Sequence, residues 1–166
     1  PDHSFHSYAP GQPNLIGRFG LKARIATIDD FSADAFQGDM GITSPLRPLE
    51  LPNPAASDDA RPGIDIDAET VNRVADYVRL LRIPARGPAT ENEHAKSLFS
   101  DVGCARCHAP SLRTRADYPI AQLADTDAAV YSDLLVHDMG AGFNDGLREH
   151  DAAGSEWRTA PLMGLR

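Results

Sequence analysis

The sequence has few cysteines, no long apolar run and an excess of acidic residues. It has two cysteines, one tryptophan and two lysines beside fourteen arginines, and its formal net charge is −8. No apolar run approaches the length of a bilayer-spanning helix, so we expect no membrane span. The acidic balance argues against nucleic acid as a partner and against an anionic membrane surface.

The two cysteines belong to the pentapeptide CARCH at residues 104–108, which is the C-x-x-C-H attachment signature of a c-type haem. One helical turn places both thiols on the same side, where they form thioethers with the two vinyl groups of one porphyrin. The next residue, His108, then supplies an imidazole to the iron as the proximal ligand. The predicted cofactor is covalent haem c, bound through Cys104, Cys107 and His108.

Other uses of the two cysteines have less support. A thioredoxin-like redox pair needs a strand–helix context, which the segments around Cys104 do not supply. A zinc site needs two further ligands at matched spacing, and His137 and His150 are distant and irregularly spaced. A structural disulfide and a chance occurrence of the motif are the remaining alternatives.

Covalent haem also predicts the compartment, because c-type haem is attached outside the cytoplasm. We therefore expect a periplasmic or otherwise extracytoplasmic protein that meets redox partner proteins. The sequence begins at Pro1 and shows no signal peptide, so we expect a mature form or a piece of a longer protein.

Proline and glycine are abundant, with thirteen of each, which predicts long loops. Within that loop-rich chain, the apolar spacing over residues 28–36 predicts a short helix that Gly38 and Gly41 end. A second helix has Asp67 as its predicted N-cap and ends at Pro84.

A third helix is predicted to lead directly into Cys104. It begins at a T-x-x-E capping box from Thr90 to Glu93. Its apolar stripe is expected to face inward, and that stripe comprises Ala95, Leu98, Phe99 and Val102. After His108 the sequence predicts mostly loop, with a short helix in the segment 127–136 and no β-strand.

Three segments together resemble the bacterial dihaem cytochrome c peroxidase superfamily, and within it the dihaem oxidoreductase, putative peroxidase family. The first is GRFGLKA…AFQGDMGIT at residues 17–43. The second runs from the capping box through SLFSDVGCARCHAPSLRT to Thr114. The third, and the most specific to the family, is YSDLLVHDMGAGFNDG…SEWRTAPLMGL at 131–165.

The resemblance implies two haem domains, whereas this sequence holds one attachment motif. We therefore expect that the chain starts partway through the first domain and stops before the second one ends. A carboxylate before Met-Gly lines the distal side of the peroxidatic haem in such proteins. Asp39 stands at the matching place and is the predicted catalytic acid–base residue. The family tryptophan between the haems is replaced here by Phe19 or Leu21.

The sequence offers several candidates for the sixth ligand of the iron. Methionine would raise the reduction potential and suit electron transfer, whereas histidine would lower it. Met139, in a glycine-rich loop, is the predicted distal candidate. The resemblance places the usual ligand further downstream, so the alternative is that Met139 is part of the pocket wall. The other candidates are His137, His150 and Met163.

These observations predict a mainly α fold: a cytochrome c-like haem domain with long loops, preceded by part of a second related domain. We expect an irregular arm and domain remnant over 1–63, a connecting helix over 64–85 and the haem domain over 86–166. The expected function is that of the electron-transfer domain of a periplasmic dihaem oxidoreductase resembling cytochrome c peroxidases. The alternative is a non-enzymatic monohaem electron-transfer cytochrome or subunit. The expected partner is a redox protein or a second haem domain.

Overall fold

The computed structural model describes residues 5–6, 15–52, 63–83 and 92–163. Its helices and strands are short and follow one another along the chain. The α-helices are α1 (Ile28–Met40), α2 (Ala68–Arg79) and α3 (Glu93–Asp101). The strands are β1 (Phe5–His6), β2 (Leu15–Ile16), β3 (Leu112–Arg113), β4 (Asp127–Ala128), β5 (Val136–Asp138) and β6 (Glu156–Arg158). Single 3₁₀ turns cover Cys104–Arg106, Ala121–Leu123 and Ala141–Phe143.

The expectation of a mainly α, cytochrome c-like fold is wrong. The described residues contain three α-helices, of 13, 12 and 9 residues, and three two-stranded antiparallel sheets, β1–β2, β3–β4 and β5–β6. After His108 the described chain has only 3₁₀ turns and strands of two or three residues. Its backbone groups are paired by loop-to-loop hydrogen bonds instead of helical ones. The predicted helix over 127–136 is also wrong, because Tyr131 and Leu134 have φ of 50° and 58°, outside the right-handed helical region.

The first predicted helix is confirmed and is longer than expected. The side chain of Thr27 caps α1 by accepting the backbone N–H of Asp30, and the helix continues through Gly38 to Met40. Gly41 ends it with φ of 69° and donates its N–H to Gln37 O. A left-handed residue at this position is the usual helix C-cap, and glycine adopts it without steric cost.

The second helix is confirmed at its start. The carboxylate of Asp67 caps α2 by accepting the Thr70 N–H at 2.8 Å, and the helix packs against α1. Its buried residues are Val71 and Ala75, and an ion pair between Arg79 and Asp29 of α1 joins the two helices. The helix ends at Arg79, earlier than the predicted end at Pro84. Pro84 itself lies outside the described residues, as do the segments 53–62 and 85–91. The expected domain division therefore stays a prediction.

The third helix begins later than expected and turns its apolar stripe outward. Asn92, not Thr90, is the N-cap of α3, accepting from the N–H groups of His94 and Ala95; Thr90 itself lies outside the described residues. None of the residues of α3 is buried, and Leu98 and Val102 are 52 % and 65 % exposed. Of the predicted stripe, Phe99 is half-buried, with its ring edge-on to the ring of Tyr131.

A buried lysine joins the N-terminal part of the chain to the C-terminal part. Lys22 is 1 % exposed, and its Nζ donates to the Asp145 carboxylate at 2.9 Å. The same ammonium lies 3.0 Å from Leu147 O, 3.1 Å from Ala153 O and 2.9 Å from Gly154 O. It also lies 4.4 Å from the centre of the Trp157 ring, within range of a cation–π interaction.

The apolar core is built of small side chains. Its buried members are Ala23, Ile25, Ala33, Val71, Ala75, Val136 and Ala152. Among the described residues an equal number of polar side chains is buried, namely Lys22, Asp30, Ser32, Thr43, Ser44, Ser132 and Thr159. Buried polar groups must be hydrogen-bonded to be tolerated, so polar contacts define much of this fold. Among the described residues, no helix is both long enough and apolar enough to cross a bilayer.

Replacing Lys22 by methionine should lower the free energy of unfolding by about 2–4 kcal/mol, because three carbonyls and a carboxylate lose their donor. Urea unfolding followed by circular dichroism would measure this loss. Lys96 is the other lysine of the sequence and forms a surface pair with Glu93 at 2.7 Å. Lys96→Met should therefore cost only about 0.2–0.5 kcal/mol. Equal losses in the two variants would contradict the role assigned to Lys22.

Candidate functional site

The C-x-x-C-H pentapeptide lies on a 3₁₀ turn that directly follows α3. Gly103 separates the two elements with φ of 89°, a left-handed conformation that glycine adopts without strain. The N–H of His108 donates to Cys104 O at 2.9 Å, and the N–H of Cys107 donates to the same carbonyl at 3.3 Å. Both cysteines are free thiols, Cys104 exposed and Cys107 half-buried. The turn therefore presents the two thiols and the imidazole in one short stretch.

A second segment, residues 131–133, runs alongside the pentapeptide and fixes its backbone. Asp133 N–H donates to Cys107 O at 2.9 Å, and Ser132 N–H donates to Ala109 O at 3.0 Å. Ser132 is completely buried, and its hydroxyl donates to Thr159 O at 2.7 Å. The turn is thus held against a segment that is itself anchored in the interior.

The orientation of His108 fits an iron ligand. Its Nδ1 lies 3.0 Å from Tyr131 O, and a carbonyl oxygen accepts hydrogen bonds but does not donate them. Nδ1 therefore carries the proton, which leaves the lone pair on Nε2. A ring N–H given to a backbone carbonyl is the usual support of a metal-binding histidine, since it fixes both the tautomer and the ring plane. The residues present therefore fit a haem attached at this turn.

Cys107 has a side-chain partner as well. Its Sγ lies 3.7 Å from Nδ1 of His137, and Nε2 of His137 lies 2.7 Å from the Asp133 carboxylate. His137 is on β5, opposite Trp157 of β6 in the strand register. Both ring nitrogens of His137 are thus engaged in hydrogen-bonding contacts.

The proposed distal and catalytic residues are not brought together by the structure. Met139 directly follows β5, is 51 % exposed and donates its N–H to Ser155 O at 2.9 Å. By the alternation of an extended chain it shares a face with His137. Asp39 lies in the last turn of α1, exposed, and that helix packs against α2. The Asp-Met-Gly tripeptide of the sequence is therefore also the C-terminal end of a helix.

Two of the arginines that flank the motif already have carboxylate partners. Arg113 pairs with Asp125 and Asp127, each at 2.9 Å, and Arg115 pairs with Asp117 at 3.2 Å. These exposed pairs on β3, β4 and the adjoining loop contribute little to stability. Arg113 is therefore already engaged by two carboxylates of the chain.

Sequence reasoning missed two residues of the site. Tyr131 acts through its main-chain carbonyl, which every residue carries, so its identity gave no signal. Asp133 could have been suspected, because it stands four residues before His137 in YSDLLVHDMG.

Comparison with protein families gave a match over most of the sequence. The model of a family described as di-haem oxidoreductase, putative peroxidase, matches residues 6–166. The match covers nearly all of the sequence, so the chain belongs to this dihaem oxidoreductase family, as the three resembling segments indicated. Searches among curated proteins and among solved structures gave no match.

The carboxylate of Asp133 should make the stability of the protein depend on acid pH. Partial burial acts to raise the pKa of Asp133, but hydrogen bonds from Leu135 N–H, Thr159 and His137 outweigh it and lower the pKa. A lowered pKa stabilises the fold above the unfolded value of about 3.9, and the stabilisation is lost as the pH falls through the folded value. Asp133→Asn should therefore be less stable than the wild type at pH 7, with the difference vanishing in acid.

Asp30 provides a control of opposite sign. Its burial raises its pKa, and the charge of Arg47 offsets this only in part. Asp30→Asn should thus be more stable than the wild type above the raised folded pKa and equal to it below about 3.9. Urea unfolding across this pH range would measure both variants. The same pH dependence in both would refute the assignment.

Proposed function

We propose that this chain is the c-type haem-binding, electron-transferring part of a peroxidase-like dihaem oxidoreductase. The observation that carries the proposal is the hydrogen bond between His108 Nδ1 and Tyr131 O at 3.0 Å. It holds the imidazole of the C-x-x-C-H motif in the tautomer that an iron ligand needs. Membership of the family supports a haem cofactor and oxidoreductase chemistry.

In this proposal Cys104 and Cys107 would hold the haem covalently, and Nε2 of His108 would bind its iron. The haem would supply a one-electron iron couple, whose potential depends on the residues that bind the iron. Met139 is the proposed second ligand within this chain, since it follows the strand whose His137 contacts Cys107. A thioether there would favour a high potential and a donor role in electron transfer.

The outward stripe of α3 supports the same location for the cofactor. Leu98 of α3 and Val102, the C-cap of that helix, are more than half exposed, although α3 leads into the attachment turn. Burying large apolar side chains stabilises a protein by about 1.5–3 kcal/mol each. A porphyrin attached at Cys104 would cover such residues, which gives this apolar stripe a partner.

The proposed partner is a second haem domain or a redox protein outside this sequence, and the proposed location is periplasmic. Both follow from the single attachment motif in a dihaem family and from the site of c-type haem attachment. A non-enzymatic electron-transfer cytochrome is the second candidate, favoured by that same single motif. The haem count of the protein from its native source separates the two, since peroxide chemistry needs a second iron with an open position.

The chain expressed in cells that attach c-type haem should carry one covalent haem. Cys104→Ala with Cys107→Ala should carry none, because both thioether sulfurs are gone. Intact mass and the pyridine haemochrome spectrum would measure this.

His94→Ala is a suitable control for this experiment. His94 is exposed on α3, and its variant should keep the full haem content. A wild-type chain without the added mass of haem would refute the proposed function.

We also propose Asp39 as the acid–base residue at the peroxidatic haem of the complete protein. A carboxylate in the last turn of a helix is disfavoured by the helix dipole, and the last turn of α1 has no basic residue to offset it. The position of Asp39 is therefore unfavourable for the stability of the helix, as is often the case for residues that serve a function. Its exposure leaves it accessible to a second domain.

Asp39→Asn in the complete protein should lower kcat for peroxide reduction by about 10²–10⁴-fold, because an amide cannot transfer the proton. Steady-state assays with a reduced donor protein would measure kcat. Asp76→Asn replaces another exposed carboxylate, which lies near the end of α2, and should leave kcat unchanged. An unaltered kcat in Asp39→Asn would remove Asp39 from the mechanism.

A further inference from the structure

A closed ring of three contacts surrounds Cys107, and we name it the Cys107 clasp. Asp133 N–H donates to Cys107 O at 2.9 Å. The carboxylate of Asp133 accepts from Nε2 of His137 at 2.7 Å. Nδ1 of His137 then lies 3.7 Å from Cys107 Sγ. One pair of residues thereby reaches both the backbone and the sulfur of the same cysteine.

The hydrogen-bond directions in the clasp follow from the chemistry of its groups. The lowered pKa of Asp133 keeps its carboxylate ionised at neutral pH, and a carboxylate only accepts hydrogen bonds. Nε2 of His137 is therefore the donor, and in the neutral ring Nδ1 carries the lone pair. That lone pair faces Cys107 Sγ, so the thiol is the donor of the weak third bond.

The two thiols of the motif are thus held in different ways. Cys104 is exposed at the start of the turn, whereas Cys107 is half-buried and aimed by an imidazole. His137 is in turn held by Asp133 on one nitrogen and by the β5–β6 ladder at its backbone. Such double support is what restricts a side chain to one orientation.

We propose that His137, held by Asp133, is a positioning residue for the thioether of Cys107. The inference rests on the proposed haem attachment at Cys104 and Cys107. When the thioether forms, the S–H bond and the vinyl π bond break, Sγ bonds to the inner vinyl carbon, and the outer carbon gains one proton. The step balances without oxidant or reductant, so the contribution of the clasp is to place the sulfur.

Two conservative variants separate the two contacts of His137. Asparagine places its amide near the position of Nδ1 and keeps a partner for Cys107, whereas glutamine reaches the position of Nε2 and keeps the contact with Asp133. Each is combined with Cys104→Ala, so that Cys107 is the only attachment point. Each is also combined with Cys107→Ala, so that only Cys104 can attach.

In the Cys104→Ala background, His137→Gln should lower the fraction of chains that carry covalent haem about fivefold, which equals about 1 kcal/mol. His137→Asn should lower it less than His137→Gln, because asparagine keeps a partner for Cys107 although it loses the contact with Asp133. In the Cys107→Ala background neither variant should change it. Intact mass with thiol alkylation gives the attached fraction, and circular dichroism establishes that each variant is folded.

Each outcome decides one claim. If attachment through Cys107 is the same with His137 and with His137→Gln, the positioning role is overturned and the proposed function is left intact. Equal loss through Cys104 and Cys107 would also overturn it, because a general folding defect would then explain the data. A wild-type chain without covalent haem would overturn the proposed function and this inference together.

Discussion

The ammonium of Lys22 connects parts of the chain more than a hundred residues apart, and the rest of the fold depends on it. It is 1 % exposed and reaches one carboxylate, three carbonyls and an indole ring. A buried charge is tolerated only when such partners offset the loss of hydration. Because the core is made largely of alanine and valine, buried apolar surface contributes little to the association of the N-terminal and C-terminal parts of the chain. The buried apolar contact between the two parts is that of Ala23 with Val136 and Ala152, and Lys22 adds polar contacts to it.

The contacts of Lys22 lead directly to the haem motif. Trp157, whose ring covers the ammonium, stands opposite His137 in the β5–β6 register. Directly opposed residues in an antiparallel pair project on the same face, and His137 contacts Cys107. A continuous series of contacts thus runs from the buried lysine to one of the two attachment thiols. Each step is polar or aromatic, so the geometry of the site depends on hydrogen bonds more than on packing density.

The parts of this arrangement that could be predicted from sequence are the local ones. Asp67 was predicted as a cap because a cap joins a side chain to a backbone N–H three residues away. The C-x-x-C-H motif was predicted because its spacing is fixed by one turn. The partners of Lys22 could not be predicted, since its four acceptors lie more than 120 residues away and three of them are main-chain carbonyls. The prediction that the apolar stripe of α3 faces the core is wrong, because hydrophobic periodicity indicates which side of a helix is apolar but not what covers that side.

The backbone of residues 131–134, beside the C-x-x-C-H turn, is strained. Such strain is expected where a site is preorganised for its cofactor. Tyr131 and Leu134 are left-handed, at φ of 50° and 58°, and such positions cost about 1–3 kcal/mol each for residues other than glycine. Neighbouring contacts offset this cost. The hydroxyl of Ser132, which lies between the two left-handed residues, donates a hydrogen bond in the interior, and the Tyr131 ring packs on Phe99. The left-handed turn at Tyr131 allows its carbonyl to meet His108 while Ser132 points inward. The strained backbone thus occurs where one short segment both accepts a hydrogen bond from the His108 imidazole and buries Ser132.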